Sequence, residues 1–172
     1  MNGYHTVGAG KWHIGYYNDA HLPENRGLDD WLGYLGGAED YFFHNLTSRP
    51  CKVGVSDFWE GNKGPAQKSD YFPQYSPFIF SNYLEDHIRG HDTEEPLFVY
   101  FAMQSVHGPT QAPKRFWDLY KKEADAAGCA WDDTQNGHKG FSCTPKPGFE
   151  DYQVSSLIVC NLCFYFPKYK NY

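Results

Sequence analysis

The chain has 172 residues and carries 15 Lys and Arg against 21 Asp and Glu, a formal charge of −6 at pH 7. That balance argues against a nucleic-acid partner, because phosphate contacts demand a basic face. The length is that of one domain or of a piece of a larger one, and the longest nearly apolar stretch, "LIVCNLCFYF" at 157–166, is too short and too interrupted to cross a bilayer.

In chain order, "GYHTVGAG" reads as a short strand that ends in glycine and delivers Lys11. No basic segment followed by an apolar stretch precedes it, so no signal peptide is visible. "GAGKWHIG", residues 8–15, sets Lys11 and His13 two apart. In an extended segment both would point one way, with Trp12 opposite. Two positive or protonatable groups beside a tight turn suit an anion. Taken alone, the segment is nonetheless read first as a plain glycine-rich loop with a solvated lysine and a half-buried histidine, because short motifs recur by chance. Residues 18–45 are rich in turn formers and aromatics and read as loop with short helical turns. "NLT" at 45–47 is a glycosylation sequon, which makes Asn45 a glycan site if the protein is secreted.

A helix follows "YSP", with Ser76 as N-cap, Pro77 at the first helical position and Gly90 closing the end. Phe80, Tyr83, Leu84, His87 and Ile88 recur at helical spacing, so His87 is expected as a satisfied core histidine. "PLFVYFAM" (96–103) is an unbroken apolar run, as in a strand buried on both faces of a parallel sheet. A helix followed by such a strand is half of a β-α-β unit, so the fold class is α/β. "QSVHGP" then holds His107, and Pro113 opens a second helix with Phe116, Leu119 and Tyr120 on one side. Two segments thus share one order: an apolar strand, then a polar turn with a histidine. Ligands in open α/β sheets bind outside the carboxyl ends of the strands. Lys11, His13 and His107 all fall there, which favours the anion pocket.

The rest of the chain carries weaker signals. Asp132 and Asp133 read as a solvated turn, and "GHKGFSCTPKPGFEDYQ" has no dependable period. Cysteines at 51, 129, 143, 160 and 163 form an irregular set. Cys160 and Cys163 make one C-x-x-C with no second pair, so no zinc site is expected there.

"GYHTVGAGKWHIGYY", "LPENRGLDDWLGYLGGAEDYFFH" and "PLFVYFAMQSVHGPTQAP" resemble, in order and spacing, the sulfatases, with a likeness to the arylsulfatase B type (N-acetylgalactosamine-4-sulfatase). The resemblance covers roughly residues 3–120 and implies a partial catalytic domain at 1–123, with an unassigned tail at 124–172. It implies an alkaline-phosphatase-like α/β fold, a mostly parallel sheet flanked by helices. The implied activity is hydrolysis of sulfate esters with a formylglycine nucleophile and a calcium ion. Lys11 and His13 match the family's sulfate-contacting lysine and histidine, and His107 matches the sulfate-contacting histidine after the central strand. His13 or His107 would also handle a proton. The substrate would be a small sulfate ester or a sulfated glycan, and the compartment lysosomal or secreted.

The resemblance also defines what these residues lack. The family's Cys/Ser-x-Pro/Ala-x-Arg nucleophile motif and its metal-binding aspartate pair do not precede "GAGK", and no Asp-Asn pair or further sulfate lysine follows Tyr120. "CTPKP" at 143–147 starts like the nucleophile motif but lacks the arginine. No metal ligands are therefore assigned, and the chain is expected to be an inactive fragment that exposes a sheet edge. Tyr41-Phe42-Phe43-His44 stands where relatives have Tyr-Tyr-Ser-His, so Phe43 is expected to crowd the pocket or redirect its loop. Two other readings are a non-catalytic binder of sulfated glycans and a phosphate or phosphonate ester hydrolase of the same superfamily.

Overall fold

The computed structural model describes residues 3–46, 55–65, 71–105, 107–109, 111–135 and 138–143. The chain divides into two units, Met1–Gln104 and Ser105–Tyr172.

The first unit is a four-stranded sheet in the order β3-β2-β1-β4. Strand β1 (His5–Lys11) lies at its centre. It pairs in parallel with β2 (Asp30–Tyr34) and with β4 (Leu97–Ala102). The short β3 (Trp59–Glu60) runs antiparallel to β2. Helix α1 (Ser76–Gly90) connects β3 to β4 and packs on the sheet. Alternation decides which side chains it covers. Val7 and Ala9 of β1 and Leu32 and Tyr34 of β2 meet Ile79, Phe80 and Leu84 of α1 in one buried cluster. On the opposite face Trp12, Leu28, Trp31 and Leu35 form a second cluster.

Strand β2 corrects the reading of 18–45 as loop and short turns. The turns are present at Asp19–His21 and Pro23–Arg26. "DWLGY" is nonetheless a strand, because Trp31 and Tyr34 are buried on opposite faces. A strand covered on both sides shows no alternation in its sequence.

Helix α1 departs from its expected caps. The N-cap is Tyr75, and Ser76 is the first helical residue. The Ser76 hydroxyl instead donates to Oε1 of Gln104 and is fully buried. Gly90 is the last helical residue rather than a left-handed terminator, and the C-cap is His91. A Cβ at Gly90 would meet nothing within 4 Å. Gly90→Ala is accordingly expected to raise stability by about 0.5–1 kcal/mol, read as a higher urea midpoint at unchanged slope.

His87 is not a core histidine. Its side chain keeps 26% of its exposure and packs on Tyr83, with ring centroids 4.4 Å apart. Ile88 is 51% exposed. The apolar stripe outruns the sheet beneath it, so the last turn of α1 projects past the core.

Strand β4 is not buried on both faces either. Val99 and Phe101 pack on the α1 side, whereas Phe98 and Tyr100 on the other side are exposed. It is the outer strand of the described sheet, and an uncovered edge of this kind invites pairing with another chain.

The second unit holds α2 (Lys114–Leu119), α3 (Lys121–Ala127) and a hairpin of β5 (Cys129–Gln135) with β6 (His138–Cys143). Phe116 and Trp117 are the buried residues of α2, and Leu119 is exposed, contrary to the expected stripe. Asp132 and Asp133 lie in β5 rather than in a turn, and "HKGFSC" is a strand. Cross-strand pairing, not local periodicity, makes these segments extended. Residue 123 falls inside α3. Cys129 is disulfide-bonded. Among the described residues no helix is long and apolar enough to cross a membrane. Thr47, Cys51, the "TPKP" of 144–147, Cys160 and Cys163 lie outside the described residues.

Candidate functional site

The three parallel strands end at one edge of the sheet, and there the backbones approach closely. Gly10 has φ +106°, and a Cβ on it would lie 1.9 Å from the Ala102 carbonyl oxygen. A Cβ on Gly33 would lie 2.0 Å from the Gly10 carbonyl oxygen. Neither position has room for a side chain. The glycines of "GAGKWHIG" are therefore required by strand contact as much as by any ligand.

Lys11 is the last residue of β1, level with Tyr34 of β2. The parallel ladder continues past it: the amide of Trp12 donates to the Tyr34 carbonyl at 2.9 Å, and that of His13 to the Leu35 carbonyl at 3.2 Å. Trp12 turns inward, and its Nε1–H donates to the carbonyls of Gly15 (3.1 Å) and His21 (2.8 Å). Its ring meets Trp31 edge-on at 5.5 Å. This buried indole fixes the loop that presents His13. The extended run stops before His13, whose φ is +50°. Simple alternation thus does not hold across 11–13. Lys11 is half-buried and His13 exposed, and the His13 ring lies against Gly37, which has no side chain to block it. Neither Lys11 nor His13 has a side-chain hydrogen bond or ion pair among the described residues.

Asp57 builds the loop beneath them, and nothing in the local sequence signals it. Its Oδ1 accepts from the Leu35 amide (3.0 Å) and from Trp59 Nε1 (3.0 Å), and its Oδ2 accepts from the Gly36 amide (2.8 Å). A buried carboxylate that takes two consecutive backbone amides holds the chain after β2 in a fixed turn. Gln104, just past β4, ties the next loop in the same way. Its Nε2 donates to the Glu39 carbonyl at 3.0 Å, and its own carbonyl accepts from the Tyr41 hydroxyl at 3.1 Å. The "QSVHGP" block marked that region for His107, and Gln104 is the residue that does the bracing.

Phe43, expected to crowd the pocket or redirect its loop, has its ring edge against Phe72 at 4.7 Å. Its amide and that of Phe42 donate to Oδ1 of Asp40. His107 lies beyond β4 in the second unit, where it is exposed and its Nδ1 stands 2.8 Å from the Gly108 carbonyl. Lys11 and His13 are thus brought together within the first unit, and His107 belongs to the other. Asn45 sits in an isolated bridge with Ser56.

Glu39 is the most unusual group near this edge. It is fully buried, and neither carboxyl oxygen has a hydrogen-bond partner among the described residues. Burial, with the nearby charges of Asp57 and Asp40, pushes its pKa well above the ordinary 4.5. A carboxyl raised by folding contributes fully below that ordinary value, and its contribution is lost as pH rises through the folded-state pKa. Glu39→Gln is therefore expected to remove a fall in stability that begins as pH rises past 4.5. Urea midpoints of both proteins across that range would test this, and parallel pH curves would refute it.

The residues at this edge do not fit a calcium ion, which takes six to eight oxygen ligands. Asp57 is committed to amides, Glu39 is fully buried with its Oε1 4.0 Å from Nδ1 of His44, and Asp40 braces its own turn. The nucleophile motif is likewise absent from these 172 residues. What this edge offers is a lysine and a histidine without a side-chain hydrogen bond or ion pair among the described residues.

Residues 1–146 match the family model described as Sulfatase. The chain is similar to Arylsulfatase J of Mus musculus, 34% identical over 119 residues that cover 69% of this chain and 19% of the relative. It is also similar to Arylsulfatase of Klebsiella aerogenes, 27% identical over 124 residues, covering 70% of this chain and 26% of that protein. N-acetylgalactosamine-6-sulfatase of Rattus norvegicus is 25% identical over 118 residues, covering 66% and 22%. The chain therefore spans between 19% and 26% of the length of these relatives. Among solved structures, the crystal structure of Ps i-CgsB superposes with a TM-score of 0.54 at 23% identity, over 69% of this chain and 28% of that one. Its complex with k-i-k-neocarrahexaose gives 0.55 at 24%, over 70% and 28%. That likeness shows the fold, the mostly parallel α/β sheet of the alkaline-phosphatase type. With strand order, glycine ladder and family match in agreement, this chain belongs to the sulfatase family.

Proposed function

We propose that this chain is part of a sulfuric ester hydrolase acting on aryl or sugar sulfates, and that Lys11 and His13 hold one side of the sulfate. The observation that carries the reading is the pair of polar heads at the carboxyl edge of the sheet, without a side-chain partner among the described residues and set on a loop locked by Trp12. As the sulfur–oxygen bond of an ester breaks, negative charge moves onto the leaving oxygen. Cationic groups already aimed at those oxygens stabilise that change more than they stabilise the bound ester. His107 is assigned as the third sulfate contact, and His13 or His107 as the group that moves a proton. The catalytic piece is assigned to residues 1–123, with likeness to the arylsulfatase B type. In the complete protein, formylglycine and calcium would supply the nucleophile and further charge.

By itself the chain is expected to bind without turnover, since its sequence lacks the nucleophile motif and the described residues at this edge hold no fitting oxygen cluster. The oligosaccharide held by the related fold makes sugar sulfates the first class to test beside aryl sulfates. The disulfide at Cys129 supports an oxidising, lysosomal or secreted setting, in which Asn45 would carry a glycan. An NMR titration of the chain with a chromogenic aryl sulfate is the direct test. Shifts at residues 10–15 and Gly37, with no release of chromophore, are expected. Shifts elsewhere, or stronger shifts with the matching aryl phosphate, would overturn the assignment.

A further inference from the structure

The opposite, amino-terminal edge of the sheet holds a second cluster of polar side chains. His5 opens β1, Asp30 opens β2, and His87 lies in the last turn of α1. With six residue steps of roughly 3.3 Å each, β1 puts this edge about 20 Å from Lys11. Nε2 of His5 stands 3.1 Å from Oδ2 of Asp30, and Nδ1 of His87 stands 3.9 Å from the same oxygen. One ligand atom from each of the three residues lies within 4.8 Å of the others.

Core packing does not explain the convergence. His5 keeps 33% of its side-chain exposure and Asp30 42%. The His5 ring stacks on two more imidazoles, nearly parallel to both, with centroids 6.4 Å from His87 and 5.7 Å from His91. Three of the chain's 8 histidines thus gather at one spot. Protonated together they would repel one another, whereas as neutral rings they are good metal ligands.

We propose that His5, Asp30 and His87 form a binding site for a divalent transition ion of the zinc type. Two imidazole nitrogens and one carboxylate suit such an ion, whereas calcium and magnesium prefer oxygen alone. Bond lengths of about 2.0–2.2 Å in a tetrahedral site put ligand atoms roughly 3.3 Å apart. The observed 3.1 and 3.9 Å bracket that spacing.

The surroundings fit as well. Nδ1 of His5 faces Oδ2 of Asp29 at 3.9 Å, and Asp29 is anchored by the amide and hydroxyl of Thr6, both at 2.8 Å. A carboxylate behind a ligating histidine orients the ring and raises its basicity. A cleft of about 480 Å³ lined by His5, His87, His91, Asp86, Asp92 and Glu95 opens beside the cluster and leaves room for a water as fourth ligand. His91 Nε2 is 2.8 Å from the Glu95 carbonyl, which can only accept, so Nε2 donates there. The ion would join the starts of two strands to the end of α1, a structural clasp remote from the sulfate edge.

The test uses the whole chain, stripped with a chelator and titrated with Zn2+ by calorimetry. One ion per chain is expected, with no competition from Ca2+. His5→Gln and His87→Gln should each weaken binding at least about tenfold, the scale seen when metal sites lose support, while His21→Gln leaves it within about twofold. Zinc at 100 times its dissociation constant should raise the melting temperature by roughly 5 °C or more. Ring NMR of the unaltered chain is independent of how the variants fold: Zn2+ should shift the imidazole signals of His5 and His87 and leave that of His13. Absence of saturable binding, wild-type affinity in the His5→Gln, His87→Gln double variant, or unmoved His5 and His87 signals would each overturn the site.

Discussion

Gly33→Ala is expected to lower the stability of the chain by about 4 kcal/mol or more, enough to prevent a marginal domain from folding. The added Cβ would lie 2.0 Å from the carbonyl oxygen of Gly10 and 2.9 Å from its carbonyl carbon. Both are backbone atoms of the strand paired with it, so no side chain can swing aside. Relief would require β1 and β2 to separate, and their ladder holds the registers of Lys11 on Tyr34 and of Ala9 on Leu32. The Trp31 ring, 2.7 Å from the same Cβ position, closes the remaining direction. Urea unfolding followed by tryptophan fluorescence would measure the loss, with Gly90→Ala as the glycine control that gains. A Gly33→Ala protein within about 1 kcal/mol of wild type would show that the strands do not meet as closely as described.

Lys11→Ala is expected to weaken binding of an aryl sulfate by about tenfold to a hundredfold, the equivalent of one charge-assisted hydrogen bond of roughly 1.5–3 kcal/mol. Stability should hardly move, because the ammonium has no ion pair or hydrogen bond among the described residues. Lys11→Arg should retain part of the affinity, since charge survives while the reach and fork geometry change. The wild-type affinity should fall with added salt, as expected when a solvent-accessible cation holds an anion. The readout is the dissociation constant from the same NMR titration at several ionic strengths. Equal constants for Lys11→Ala and wild type would remove Lys11 from the site and leave the glycine loop with a purely architectural role. A loss of affinity accompanied by unfolding would place Lys11 among the residues that hold the sheet together.

Much of this was legible in the residues themselves. The strand before Lys11, the helix after Pro77 and the apolar run at 97–102 all declare themselves locally. A run of β-branched and aromatic residues, or a proline followed by a 3.6-residue period, has few ways to fold. The family blocks place Lys11 and His13 at the end of a strand, and β1 ends at Lys11. The same local logic misjudged β2. Its five residues carry a glycine and no alternation, and they are extended only because β1 and β3 flank them. It also misplaced Ser76, whose hydroxyl has a better acceptor in Gln104 than in its own first turn.

The sequence by itself determined the fold class, the family and the pairing of a lysine with a histidine beyond a central strand. These are properties of short, contiguous stretches, where chemistry and spacing lie next to each other. Only the tertiary structure decided why Gly10 and Gly33 are glycines, since the reason for each is a backbone atom of another strand. It likewise decided that Asp57 clamps the turn at Leu35 and Gly36, and that Glu39 is buried without a hydrogen-bond partner among the described residues. Most clearly, it brought together His5, Asp30 and His87. Residues so far apart along the chain share an ion only after a parallel sheet has aligned two strand starts and a helix has returned to the same edge.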